Sequence, residues 1–135
     1  MTVRPSMSNI PADLRYTNEH EWVKVEGDVV VVGITDHAQD ALGDIVFLEL
    51  PAPGDAIEAG KHFGVVESVK AVSDLFAPIT GEVVEANEEL VDSPEGINED
   101  AYGAWMLKVK PADAGVIDTL MDAAAYEGFL ASEEK

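Results

Sequence analysis

Gly64-Val65-Val66-Glu67-Ser68-Val69-Lys70-Ala71-Val72-Ser73-Asp74 stands between two stretches that repeat one another, Gly54-Asp55-Ala56-Ile57-Glu58-Ala59 and Gly81-Glu82-Val83-Val84-Glu85-Ala86. The likeness extends upstream, where Asp44-Ile45-Val46-Phe47 precedes the first copy and Asp74-Leu75-Phe76 the second. A solenoid needs about three stacked units or more, so the pair reads as two related halves packed face to face. The link between such halves turns near its middle, at Lys70. Local composition argues the other way: Ser68 to Ala71 contains no Gly, Asn or Pro, and turn propensity alone favours an uninterrupted strand. A lysine is ordinarily a solvated surface residue. Between Lys24 and Lys108, however, the only cations are Lys61 and Lys70, and Lys70 is the one in an aliphatic, strand-like context.

Outward from this stretch, strand signals dominate. Glu21 to Val25, the turn Glu26-Gly27-Asp28 and the β-branched run Val29 to Ile34 predict a hairpin. Thr35 or Asp36 caps a short helical turn through Leu42, and Gly43 stops it. Ile45 to Leu50 ends at the turn cluster Pro51-Ala52-Pro53-Gly54. Short strands then follow at Ala56–Ala59, Phe63–Val66, Val69–Phe76 and Glu82–Ala86. Met106 to Val109 supplies a last strand, and Pro111 suits a helix start. Ile117, Leu120, Met121 and Ala124 recur at helical spacing, with Tyr126, Phe129 and Leu130 as a second apolar patch, and both stripes read as core packing. The expected class is mainly β, a sandwich or barrel with short helices. Residues 1–15 are expected to be a flexible N-terminal segment. Residues 16–135 form one domain, with C-terminal helices from about residue 112.

Composition narrows function. Eight Lys and Arg face 27 Asp and Glu, a formal net charge of -19, which repels phosphate backbones and anionic lipid and argues against nucleic-acid and membrane roles. The same charge suits a shuttle that meets basic partner surfaces and leaves them again. The longest aliphatic run, Val29 to Val32, is far short of the roughly 20 residues a spanning helix needs. Residues 1–15 lack an apolar signal region and are polar and proline-containing, so a cytoplasmic location is expected. Absence of cysteine excludes a disulfide, a thiolate metal site and a cysteine nucleophile.

His20-Glu21-Trp22, the stretch from Val32 to Gln39, Leu42-Gly43-Asp44-Ile45-Val46, and Val66 to Asp74 together resemble the H-protein family of the glycine cleavage system, from about Tyr16 to Leu130. The resemblance implies a flattened barrel-sandwich of the lipoyl-domain type with two quasi-symmetric halves. It implies lipoate attached covalently to Lys70 as N6-lipoyllysine at a tight hairpin tip. Glu67 and Gly81 match places where a lipoyl-attaching enzyme reads the domain; Gly81 also reads as a turn residue of positive φ. Glu21 and Asp74 match acidic positions near a cleft that shelters the loaded arm. The implied partners are a pyridoxal-phosphate glycine decarboxylase (P protein), a tetrahydrofolate-dependent aminomethyltransferase (T protein) and a dihydrolipoyl dehydrogenase (L protein). In this picture the chain is a non-catalytic carrier. One departure is evident: the family pattern Asp-Pro-Tyr-Gly, two residues, Trp is here Asp100-Ala101-Tyr102-Gly103-Ala104-Trp105, without the proline and one residue shorter, so a local loop change is expected.

Other constellations are weaker. Asp36, Asp40 and Asp44 have helical spacing but lack a Gly-centred calcium loop. His20, His37 and His62 lack zinc-site spacing, so no metal is expected. Neither Ser68 nor Ser73 sits in a nucleophile elbow. Two alternatives remain: a biotinyl-type carrier, which typically flanks its lysine with methionines where this chain has Val69 and Ala71, and an acidic hydrolase using Glu21 and Asp74 as a carboxylate pair.

Overall fold

The computed structural model describes residues 10–133. Among these residues nine strands run in chain order as β1 (Arg15–Tyr16), β2 (Glu21–Glu26), β3 (Val29–Ile34), β4 (Ile45–Glu49), β5 (Ala56–Ile57), β6 (His62–Ser68), β7 (Val72–Phe76), β8 (Gly81–Ala86) and β9 (Leu107–Pro111). Helices are α1 (Asp36–Leu42), α2 (Glu88–Asp92), α3 (Gly96–Glu99) and α4 (Ala123–Glu133), with a 3-10 helix at Ala114–Thr119. The strands form a six-stranded sheet, β1-β2-β3-β9-β8-β5, and a three-stranded sheet, β4-β6-β7. Among the described residues no strand pairing joins the two sheets, so the flattened sandwich does not close into a barrel there.

The repeated segments meet differently from the face-to-face arrangement expected. β5 and β8 pair edge to edge in one sheet, Ala56 opposite Glu82 and Ile57 opposite Gly81, while their upstream partners β4 and β7 flank β6 in the other. This pairing covers the start of β8 and leaves the two-residue β5 as the edge of the sheet.

Local sequence explains the layers. β3 is a continuous β-branched run because both of its faces are covered. Val30 and Val32 join Val23, Leu48, Val66, Leu75 and Val109 between the sheets. On the opposite side, Val31 joins Leu14, Tyr16, Trp22, Tyr126 and Leu130 in a second core beneath α4. Gly33 pairs with Trp22, and a Cβ there would lie 2.6 Å from the indole, so only glycine admits the Trp22 ring. Thr35 caps α1 by accepting from the Ala38 N–H, and Gly43 ends it at φ 84.

The C-terminal region departs from its periodicity. Pro111 ends β9 opposite Gly81 rather than starting a helix; the following 3-10 helix is capped instead by the Asp113 side chain on Gly115 N. Ile117, Leu120, Met121 and Ala124 do not share one helix face. The chain is extended at Leu120, and Met121 exchanges backbone hydrogen bonds with Tyr16, at 2.8 and 3.0 Å. This bridge sends Ile117 to the core between the sheets and Met121 to the second core. Packing also begins ahead of residue 16: Leu14 is buried and Arg15 pairs with Val23. Residues 1–9 lie outside the described part.

Candidate functional site

The chain turns at Lys70. Glu67 pairs with Val72, the Ser68 N–H donates to the Ala71 carbonyl at 2.8 Å, and Val69, Lys70 and Ala71 form the exposed link. The turn former is the side chain of Ser68. Its buried hydroxyl oxygen accepts from the N–H of Lys70 at 3.2 Å and of Ala71 at 3.1 Å, which substitutes for the missing Gly, Asn or Pro. The Val69 N–H donates to the Asp44 carbonyl at 3.0 Å, docking the tip on the segment that follows α1. There the Lys70 stem lies along Gly43, where an added Cβ would stand 3.3 Å from Cε. Ser68→Ala is expected to lower stability by about 1–2 kcal/mol, as for a lost side-chain cap, and to accelerate hydrogen exchange at the Lys70 and Ala71 amides. Unchanged exchange there would count against the hydroxyl's bracing role.

Glu67 stands half-buried on β6, between Phe47 and Val72 on its neighbours. Val46, Phe47, Val69 and Val72 expose large apolar side chains at this end of the three-stranded sheet. Gly81 lies on the other sheet, at the start of β8. Its φ is not positive, so the expectation of a turn glycine is corrected. A Cβ at Gly81 would come 2.4 Å from the Lys110 carbonyl and 2.8 Å from Val109 Cγ1; close approach of β9 is what demands glycine here.

Glu21 is 2 % exposed and lines a cleft of about 420 Å³ with Thr17, Glu19, Phe76, Pro78 and Met121 among others. Its Oε1 accepts from the Thr17 hydroxyl at 2.6 Å and its Oε2 from the Phe76 N–H at 3.3 Å. Burial pushes its pKa up to about 8, outweighing these two hydrogen bonds, which act to lower it. Asp74 does not line that cleft. It is exposed on β7, on the same side of the strand as Phe76 by alternation and between Phe76 and the tip. The arrangement gives one buried carboxyl in a cleft and one solvated carboxylate on the strand leading from it to Lys70.

The Asp100–Trp105 loop is packed despite its altered sequence. The Ala101 carbonyl accepts from Trp22 Nε1 at 3.1 Å, Ala101 and Ala104 are buried, and the Tyr102 hydroxyl accepts from the Asp36 N–H at 3.2 Å. His20, at φ 69, sets Nδ1 2.8 Å from the Tyr126 hydroxyl, and its ring lies 4.7 Å from that of His37; His62 starts β6 and is exposed. Sequence reading overlooked Asn98 on α3. Its Oδ1 accepts from Ile45 N–H at 2.8 Å, and its Nδ2 donates to the Gly43 carbonyl at 2.8 Å and to Gln39 Oε1 at 3.0 Å. A lone asparagine on a four-residue helix carries no periodic signal by which to find it.

Comparison with known proteins agrees with this geometry. Residues 14–133 match the family model described as glycine cleavage H-protein. A glycine cleavage system H protein of Burkholderia vietnamiensis is 64% identical over 125 residues, covering 92% of this chain and 99% of that protein. One from Bacteroides thetaiotaomicron is 55% identical over 123 residues, covering 90% and 98%. The crystal structure of a glycine cleavage system H protein from Mycobacterium marinum superposes with a TM-score of 0.83 at 44% identity, covering 90% of this chain and 99% of that one.

Proposed function

The chain belongs to the glycine cleavage H-protein family, and on that premise we propose that it is a carrier whose Lys70 holds lipoate in amide linkage. The observation that carries this reading is the tip: an exposed lysine on a turn braced by Ser68. Its stem is accommodated by a glycine that leaves room beside Cε. A rigid base with a free amine is what acylation by an attaching enzyme requires. The lysine offers a long unbranched stem and a nucleophilic nitrogen, and amide formation removes its charge. When attached, the dithiolane supplies a strained, readily reduced disulfide able to hold a one-carbon unit on one sulfur.

In this reading the chain accepts an aminomethyl group at the pyridoxal-phosphate decarboxylase and yields it at the tetrahydrofolate-dependent aminomethyltransferase. Its dithiol then meets the dihydrolipoyl dehydrogenase. Tethering makes each exchange effectively intramolecular once the carrier has docked, and the net charge of -19 favours fast encounter with basic docking faces. The protein itself catalyses nothing and shares the cytoplasm with these enzymes. Glu67 contributes to reading by the attaching enzyme: it is half-buried beside the tip, and Glu67→Ala is expected to slow lipoylation with a nearly unchanged melting temperature. A large stability loss would assign it to packing instead. Gly81 is the other recognition position of this reading, in addition to its packing role.

Glu21 and Asp74 serve the loaded state. Carbon–carbon bonds near 1.5 Å give an eight-carbon acyl chain a reach of roughly 10 Å past Nζ. The four residue-to-residue steps from Val72 to Phe76 span about 13 Å. The Glu21 cleft is therefore of the right separation from the tip, and a cationic amine entering it favours the ionised carboxylate. Glu21→Gln combined with Asp74→Asn is expected to raise hydrolysis of the loaded form several-fold; an unchanged rate removes the cleft from the account. The reading as a whole is tested by reconstituted glycine cleavage with this chain as sole carrier. Turnover is expected with the lipoylated protein alone, and turnover with the unmodified protein would contradict it.

A further inference from the structure

We infer that Asn98 is a positioning residue for Lys70, acting through the α1–β4 junction; the inference rests on the reading that Lys70 is the acylated amine. Asn98 spends its whole side-chain amide on three partners: Ile45 N–H into Oδ1, and Nδ2 to the Gly43 carbonyl and to Gln39 Oε1. The amide orientation follows from those partners, since the reverse would set an NH2 against the Ile45 N–H and an oxygen against the Gly43 carbonyl. Residues 43 to 45 are thereby fixed from the α3 side. Their other side meets the tip twice, through Asp44 O on Val69 N–H at 3.0 Å and through Gly43 beneath the Lys70 stem.

Neither contact comes from Asn98 itself, yet both move if residues 43–45 move. Gly43 is suited to the place on two counts: its φ of 84 is one that L side chains rarely adopt, and a Cβ would crowd Cε at 3.3 Å. The segment works as a shelf that gives the lysine stem one direction of departure. Acylation needs the amine in one orientation at a partner's active site, and misplacement of about 1 Å can lower a rate up to about a hundredfold.

The test is initial-rate lipoylation of the full chain by a purified lipoyl-attaching enzyme, with NMR order parameters of 13C-labelled lysine side chains. For Asn98→Ala, kcat is expected to fall about tenfold with KM within about twofold, since Asn98 does not form the docking surface. The Lys70 Cε should become as mobile as that of Lys61, whose side chain is 70% exposed. Asn98→Asp keeps the acceptor for Ile45 and loses both donors, and it carries the test if the alanine variant does not fold. Asn87→Ala is the control for lost side-chain amide hydrogen bonds away from the tip: Asn87 caps α2 and donates to the Trp105 carbonyl at 2.8 Å, so it should lower the melting temperature without touching kcat. Attachment at Lys70 with unchanged kcat and an unchanged Cε in the Asn98 variants overturns the inference and leaves the carrier reading standing. No attachment at Lys70 in the unsubstituted chain overturns both.

Discussion

Lys70→Arg is expected to abolish carrying altogether, to the level of an assay with no carrier, while leaving the fold untouched. Lys70 is exposed, and an exposed substitution away from caps and cores changes stability by about 0.5 kcal/mol or less. Arginine retains charge, length and a methylene stem to lie along Gly43. What it lacks is a primary amine on an unbranched stem that can attack an activated acyl group and form the amide. The variant therefore separates the tip's shape from its chemistry. Reconstituted turnover and a melting curve on the same sample check it. Residual turnover in Lys70→Arg would locate the carrying group elsewhere.

The second large effect is on stability against pH, and Glu21 sets its sign. Burial raises this carboxyl from the ordinary 4.5 to about 8, so the folded state holds a proton that the unfolded state has released. The contribution is fully present below about pH 4.5, is lost progressively as pH rises toward 8, and is gone above it. At ~1.4 kcal/mol per unit, the loss from this shift is on the order of 5 kcal/mol. Glu21→Gln is neutral throughout, so it is expected to match the unsubstituted chain near pH 5 and to exceed it by a few kcal/mol near pH 9. Urea midpoints at both pH values measure this. Parallel stability curves for the two proteins would mean that Glu21 is ionised in the folded state at neutral pH.

Much of this site was legible in the residues, and the exceptions have physical causes. The internal repeat located the turn at Lys70, although composition opposed it. The contradiction dissolves in Ser68, whose side chain supplies by hydrogen bonding what backbone propensity does not. Glu21 was legible as part of a family pattern, but alternation also puts it in phase with Val23, a core residue; a glutamate at an inward position is itself a signal of an unusual carboxyl. Val25 continues that face yet is 57% exposed.

Where reading by period failed, tertiary contacts decided. The stripe from Ile117 to Ala124 has helical spacing, yet the backbone exchange between Tyr16 and Met121 interrupts it. Gly81 reads from sequence as a turn glycine of positive φ, whereas its constraint comes from a strand distant in sequence. Asn98 was invisible for the same reason: its partners lie more than 50 residues away.

The most direct check is the mass of the intact protein after incubation with lipoate, ATP and an attaching enzyme, followed by peptide mapping. One lipoyl group is expected, on the peptide carrying Lys70 and nowhere else, with no gain in Lys70→Arg. A modified Lys61 or Lys108, or an unmodified Lys70, would contradict the assignment on which the rest depends.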